Sequence, residues 1–305
     1  MMKYAIGVDI GGTKVAIAVV DQAGNSLTES IIPTDLSIPA IKMVEKINNE
    51  IEQVIIGTGI PTDQLIGIGI GAPGPLDSKN GVITSPPNLK KWIDVPVTRL
   101  VEQHFSMPVF LENDANAAAL AERLTGAAQE NDNFVYITVS TGIGAGIVAE
   151  GKLLRGLKGN AGDIGHTVVD PSFGKCTCGQ YGCLEWIASG TAIARQGSAI
   201  MGKAISTKDV FNLYLSGNEE ITHLIERIFR VLGVACVSVI NTFDTEKIVI
   251  GGGVSKVGAP LFQSIQAYVS EYALNETGRQ TEIVPAKLEQ KSGVIGAAAL
   301  CFNRI

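Results

Sequence analysis

No stretch of this sequence is apolar for long enough to cross a bilayer. The most apolar windows, around Val135–Ala149 and Val231–Ile240, are too short or too interrupted by Gly, Ser and Thr. A positive excess is missing too: 24 Lys and Arg stand against 30 Asp and Glu, a formal net charge of −6. That balance argues against a nucleic-acid partner, because binding to phosphate backbones is largely electrostatic. The N-terminus, MMKYAIGVDIGG, has one early Lys and then a glycine turn, without the apolar stretch of a signal peptide. Biased tracts are absent, and the composition, 46% hydrophobic and 18% charged, is that of an ordinary globular protein. A cytoplasmic protein with no membrane and no nucleic-acid partner is expected.

Cysteine is scarce, with five in 305 residues, yet three of them crowd into Cys176–Cys183. Without a secretion signal, such a cluster points to metal ligation more than to a disulfide framework. His166 precedes it, giving the spacing His-x9-Cys-x-Cys-x4-Cys through Cys176, Cys178 and Cys183, with Gly174, Gly179 and Gly182 between. One His and three Cys make a closed tetrahedral set, the pattern of a structural zinc with no open position for water. Cys236 and Cys301 lie in apolar segments and read as core residues. His104 and His223 lie in polar, helix-like contexts and carry no assigned role.

Glycine, by contrast, is abundant at 35 residues. The length exceeds what one hydrophobic core usually serves, so two domains are expected. Residues 3–8 read as a strand that breaks at Gly11 and Gly12, and 13–20 as a second strand. Apolar positions Val44, Ile47, Ile51, Val54 and Ile55 fit an amphipathic helix over 41–56. Residues 65–70 and 108–111 read as strands, with an alanine-rich helix over 115–124. The second half opens in the same way, with a strand over 134–140, a glycine turn over 142–146 and a returning strand from 147. Helical segments follow over 209–215 and 221–240, then a strand over 247–250 runs into Gly251, Gly252 and Gly253, which open another helix. A last helix covers 293–302.

Each glycine element has an ordinary reading and a chemical one. The turn DIGGTK at 9–14 could be a plain hairpin. Equally, its glycines let backbone N–H groups approach phosphate, while Thr13 and Lys14 add a hydroxyl and a positive charge. Asp9 could orient the water shell of a Mg²⁺ ion. The turn leads to a strand, so it is neither a P-loop nor a dinucleotide fingerprint. A second hairpin, with Thr141, Gly142 and Gly144, would close on a triphosphate from the opposite side, and Gly251 and Gly252 would lie against the nucleotide. In ENDAN at 112–116, Asn113 and Asp114 stand where helix caps stand. The chemical reading makes Asp114 a general base, kept ionised by the positive end of the helix.

The set DIGGTK at 9–14, GAPGP at 71–75, PNL at 87–89 and ENDANAAALAE at 112–122 resembles the ROK family of bacterial sugar kinases and repressors. The likeness continues through STGIGAGI at 140–147, GNAGDIGH at 159–166, CTCGQYGCLEWIASG at 176–190 and GGGVS at 251–255, in the family's order over essentially the whole chain. Within the family the chain is most similar to the glucokinase type. The resemblance implies an α/β, actin-like ATPase (ribonuclease H-like) fold of two domains with a cleft between them: 1–114 plus 290–305 as the smaller, and 115–289 as the larger, with the zinc loop. It implies phosphoryl transfer from Mg-ATP to the 6-hydroxyl of a hexose, glucose first, with Asp114 as base. It further implies that Asn88, Asn113 and Asp114 bond the sugar hydroxyls, that Glu185 lies near the C1–C2 side, and that His166 ligates zinc while facing the sugar. A homodimer is expected on the same ground.

One position departs from the pattern: the family's usual Glu-x-Gly-His is here Asp163-Ile-Gly-His166. The shorter carboxylate should stand back from the sugar by about 1 Å or more. Fructose, mannose, allose, N-acetylmannosamine, N-acetylglucosamine or a β-glucoside therefore stay open as alternatives to glucose. Repressors of the family carry an additional N-terminal helix-turn-helix segment, whereas the glycine turn here begins at Asp9. A catalyst is accordingly expected over a regulator, and over a non-catalytic nucleotide-binding scaffold.

Overall fold

The computed structural model describes residues 2–288 and 291–302. The chain divides into two compact units. One comprises Met1–Glu130, Gly151–Gly162 and Lys287–Ile305, and the other Asn131–Glu150 and Asp163–Ala286.

In chain order the first unit contains β1 (Tyr4–Ile10), β2 (Lys14–Asp21), β3 (Ser26–Pro33), α1 (Ala40–Thr58), β4 (Leu65–Ala72) and a small hairpin of β5 (Leu76–Asp77) and β6 (Val82–Ile83). There follow α2 (Val97–Glu102), β7 (Val109–Asn113) and α3 (Asp114–Thr125). Its five-stranded sheet has the order β3-β2-β1-β4-β7, with β1–β3 antiparallel and β4 and β7 parallel to β1. β1 is buried on both faces. On one, Ile6, Val8 and Ile10 join Val44, Ile47 and Ile51 of α1 in a single core. On the other, Ala5 packs with Val294, Ile295 and Ala298 of the C-terminal helix Ser292–Phe302. That helix lies close because Gly7 and Gly69 carry no Cβ, which would overlap the carbonyls of Val294 and Ala297.

The second unit begins with β8 (Phe134–Val139) and β9 (Ile143–Ala149); β10 (Lys152–Leu153) falls in the segment belonging to the first unit. It continues with α4 (Leu184–Ala188), α5 (Gly190–Met201), α6 (Thr207–Leu215), α7 (Glu219–Phe243) and β11 (Lys247–Gly251). Then come α8 (Ala259–Tyr272), α9 (Glu276–Arg279) and β12 (Glu282–Pro285), and the C-terminal helix of the first unit is α10. β9, β8, β11 and β12 lie in that order in its sheet, β9 antiparallel and the others parallel to β8. The long α7 lays Leu224, Ile228, Leu232 and Cys236 into the core beneath them. Among the described residues, no helix is long and apolar enough to cross a membrane.

The structure corrects three expectations. The division at residue 114 falls instead at 130, and residues 151–162 and 287 onward also belong to the first unit. The reason is that α3 packs against α10 so closely that a Cβ on Gly296 would strike the Ala117 carbonyl. The second glycine turn is shorter than 142–146: β9 begins at Ile143, and Gly144 and Gly146 pair with Thr138 and Tyr136 inside the ladder. Gly251, Gly252 and Gly253 lead into a single 3-10 turn, Val254–Val257, and α8 starts only after Gly258.

Candidate active site

Asp9, Gly71 and Glu112 stand in one row across β1, β4 and β7, at the carboxyl ends of three parallel strands. In open α/β sheets that edge is where ligands bind. The chain leaves β7 directly into α3. Asn113 is the cap, its side chain accepting from the N–H groups of Ala115 at 2.9 Å and Asn116 at 3.4 Å. Asp114 is the first helical residue; its Oδ1 accepts from Ala115 N–H at 2.8 Å, and the residue is exposed. The cap therefore belongs to Asn113, and Asp114 presents a carboxylate to solvent at the positive end of a twelve-residue helix.

Three residues without a role in the sequence reading hold this junction. Glu112 is fully buried, bonding Asn113 N–H and Asn116 Nδ2, each at 3.0 Å, and Arg155 Nε at 2.7 Å. Asn160 clamps Leu76 through both backbone groups, at 3.3 and 3.0 Å. Gly74 brings the 71–75 loop against Asn113, whose Nδ2 would stand 3.3 Å from any Cβ there. Sequence spacing gave no signal for the distant partners, Arg155 lying 43 residues from Glu112 and Asn160 84 from Leu76; a charged residue at a strand end, as at Glu112, was the available hint.

The first glycine turn is closed by Gly11 N–H to the Lys14 carbonyl at 2.9 Å and by Thr34, whose hydroxyl donates to the Gly11 carbonyl at 2.7 Å. Thr13 and Lys14 are exposed. A Cβ on Gly12 would lie 3.1 Å from the Asn88 carbonyl, so the structure does bring Asn88 beside this turn. Asp9 sits beneath, packed against Gly71 and Gly293. Burial raises its pKa, and the charge of Lys14 only partly opposes that.

In the second unit the turn Ser140–Gly142 borders a cavity of about 900 Å³, in the range of small-molecule sites. Ser140, Thr141, Thr191 and Thr207 line it together with Phe211 and Val257. Small polar residues beside an aromatic and aliphatic wall suit a flat heteroaromatic group with a charged tail. Of the expected nucleotide residues here, Thr141 lines this cavity. Gly142 faces Glu185, Gly144 lies within β9, and Gly251 and Gly252 pack against Tyr136 and Val139; the third glycine, Gly253, is the one at the wall.

The cluster of His166, Cys176, Cys178 and Cys183 forms in the same unit, its ligand atoms all within 4.8 Å of one another. The Cys178 and Cys183 sulfurs are 3.6 Å apart, and Cys176 Sγ lies 3.8 Å from His166 Nδ1. Tetrahedral zinc with 2.3 Å bonds to sulfur needs ligand separations of about 3.8 Å, so the residues fit the ion. Cys183 is both a ligand candidate and the cap position of α4. Burial and the neighbouring sulfurs push its thiol up to about 12. Beside the cluster, burial raises the pKa of Asp163; His166 opposes the shift and Glu185 adds to it.

A family model described as ROK matches residues 5–304. The chain belongs to the ROK family. A glucokinase of Halalkalibacterium halodurans is 36% identical over 98% of this chain and 94% of its own. The solved ROK hexokinase from Thermus thermophilus is 34% identical, covering 98% of each chain at a TM-score of 0.87. A ROK family glucokinase from Streptomyces griseus, solved with glucose and AMPPNP, is 33% identical at a TM-score of 0.77, covering 97% of this chain and 98% of its own.

Proposed function

We propose that this protein phosphorylates glucose at the 6-hydroxyl with Mg-ATP, using Asp114 as the general base. The chain is an ATP-dependent hexose kinase of the ROK family, related over nearly its whole length to sugar kinases. The observation that carries the finer reading is the division of labour at the β7–α3 junction: Asn113 caps the helix while Asp114 is exposed at its positive end.

Asp114 takes the proton of the attacking hydroxyl as the bond to the γ-phosphorus forms, an effect typically worth ~10²–10⁴ in rate. Asn88, Asn113, Asp163, His166 and Glu185 bond the remaining sugar hydroxyls. The turn at Gly11, Gly12, Thr13 and Lys14 offers backbone donors to phosphate, as does the turn at Thr141 and Gly142, with Gly144, Gly251 and Gly252 shaping the backbone behind. Mg²⁺ would neutralise phosphate charge, with Asp9 orienting its waters. Zinc on His166, Cys176, Cys178 and Cys183 would be structural, holding the loop that presents Asp163, His166 and Glu185. A cytoplasmic homodimer completes the reading.

A coupled assay across glucose, mannose, fructose, allose, N-acetylated hexosamines and β-glucosides tests it. Glucose should give the highest kcat/KM. Another preferred hexose would overturn the substrate, and absence of sugar-dependent ATP turnover together with salt-sensitive DNA binding would place the chain with the family's repressors.

A further inference from the structure

The turn at Ser140–Gly142 is held from two helices. On the α5 side, Gly190 N–H donates to the Ser140 carbonyl at 2.7 Å and the Thr191 hydroxyl to the Thr141 carbonyl at 2.9 Å. On the other side the partner is a carboxylate: Glu185 Oε2 accepts the N–H of Ile143, the residue that leaves the turn, at 2.8 Å. Gly142 shows how closely that oxygen is seated, because a Cβ there would stand 2.5 Å from it. Gly165, in the short turn that carries His166, likewise leaves room for the Glu185 side chain, with its absent Cβ 3.3 Å from Glu185 Cβ. Glu185 belongs to α4, two residues after the cluster cysteine Cys183.

We infer that Glu185 is a positioning residue for the nucleotide cavity: its Oε2 fixes the turn that presents Ser140 and Thr141, while the same side chain serves the sugar. The inference rests on the kinase reading, which makes the cavity beside Thr141 the nucleotide site. Its physical basis is a charge-assisted bond to a backbone N–H, about twice as strong as a neutral one. The bond leaves Glu185 Oε1 for another donor. Removing the carboxylate leaves the Ile143 N–H without this acceptor, and the turn keeps only its own Ser140 N–H to Gly142 carbonyl bond at 2.9 Å, the β8–β9 ladder at its base and the bonds from α5. Replacing it with an amide keeps a carbonyl oxygen for the same N–H.

The test is titration of AMPPNP into metal-loaded protein without sugar, with metal content measured on every variant. Glu185→Ala should weaken AMPPNP binding roughly tenfold or more, with metal content unchanged. Glu185→Gln should stay within about threefold of the parent, since an amide oxygen still accepts the bond. Gly142→Ala drives a methyl group into the seat of Oε2 and should weaken binding as Glu185→Ala does. It leaves Glu185 itself in place, so it decides the matter if Glu185→Ala loses metal. Parent-like AMPPNP affinity in both Glu185→Ala and Gly142→Ala overturns the positioning role while leaving the kinase reading intact. A parent protein that binds no AMPPNP and turns over no hexose overturns both.

Discussion

Arg155 donates from Nε to Glu112 Oε2 at 2.7 Å, and the other oxygen of that buried carboxylate holds the backbone and side chain of the residues flanking Asp114. The pair is asymmetric: the Glu112 side chain is 1% exposed and that of Arg155 39%. Loss of the guanidinium leaves a buried acceptor without its strongest donor. Because Arg155 is partly in solvent, the effect is that of one charged hydrogen bond, about 1.5–3 kcal/mol. Arg155→Met should lower the urea midpoint accordingly, and should lower kcat more than its effect on stability explains, since Asn113 and Asp114 lose their support. An unchanged kcat would remove the pair from any catalytic account.

Asp114→Asn should keep the fold and the metal and lose about 10²–10⁴ in kcat. The helix cap is Asn113, whose side chain accepts two N–H groups, so the substitution leaves capping intact. Melting temperature and metal content should match the parent while coupled turnover collapses. Near-normal turnover would exclude Asp114 as the base.

Much of this was legible in the sequence because the informative residues are close together along it. The cluster at His166, Cys176, Cys178 and Cys183 falls within eighteen consecutive residues, and its ligand atoms lie within 4.8 Å of one another. The β7–α3 junction was readable from an apolar strand meeting an Asn-Asp pair before an alanine-rich helix. What escaped is what depends on distant pairing. The edge strand β3 alternates between half-buried and exposed residues, with no buried position to mark it as a strand. The role of Arg155 rests on a partner 43 residues earlier. The Thr138–Gly144 pairing put glycine inside a ladder, where local propensity argues for a turn.

Asp9 has a raised pKa through burial, with Lys14 opposing. A carboxyl whose folded pKa lies above its unfolded value favours folding only while protonated, below that unfolded value. The advantage is lost as pH rises through the folded pKa, so at pH 7 the ionised group opposes folding. Asp9→Asn should therefore raise the melting temperature of ligand-free protein at pH 7, with the gain shrinking toward pH 4. The same variant should weaken Mg-dependent nucleotide binding. A destabilised Asp9→Asn protein at pH 7 would refute the assignment of the cost to burial of charge.

Burial and its sulfur neighbours push the Cys183 thiol up to about 12. Its folded value lies above the ordinary 9.0, so in metal-free protein this contribution to stability is fully present below pH 9 and is lost as pH rises toward 12. Zinc must expel the proton, so apparent affinity should rise with pH. Competition against a chelator from pH 6 to 8 should show log affinity increasing by about one unit or more per pH unit, and Cys178→Ser should abolish the stoichiometric site. Affinity flat across that range would mean that the thiols do not ligate the ion.

In the proposed function, Asp163 is the position at which substrate choice is open. Its carboxyl, raised by burial and by Glu185 against the pull of His166, is one methylene shorter than the family's usual Glu. A displacement of about 1 Å is enough to weaken a bond that orients substrate. Asp163→Glu should restore that reach and lower KM for glucose severalfold with a smaller change in kcat, because the carboxylate binds ground and transition states alike. If the natural substrate instead carries a substituent at C1 or C2, the longer side chain should collide with it. KM for that sugar should then rise while KM for glucose falls, so parallel KM measurements on glucose, N-acetylated hexosamines and β-glucosides distinguish the two. An unchanged KM for every sugar would remove Asp163 from the sugar site.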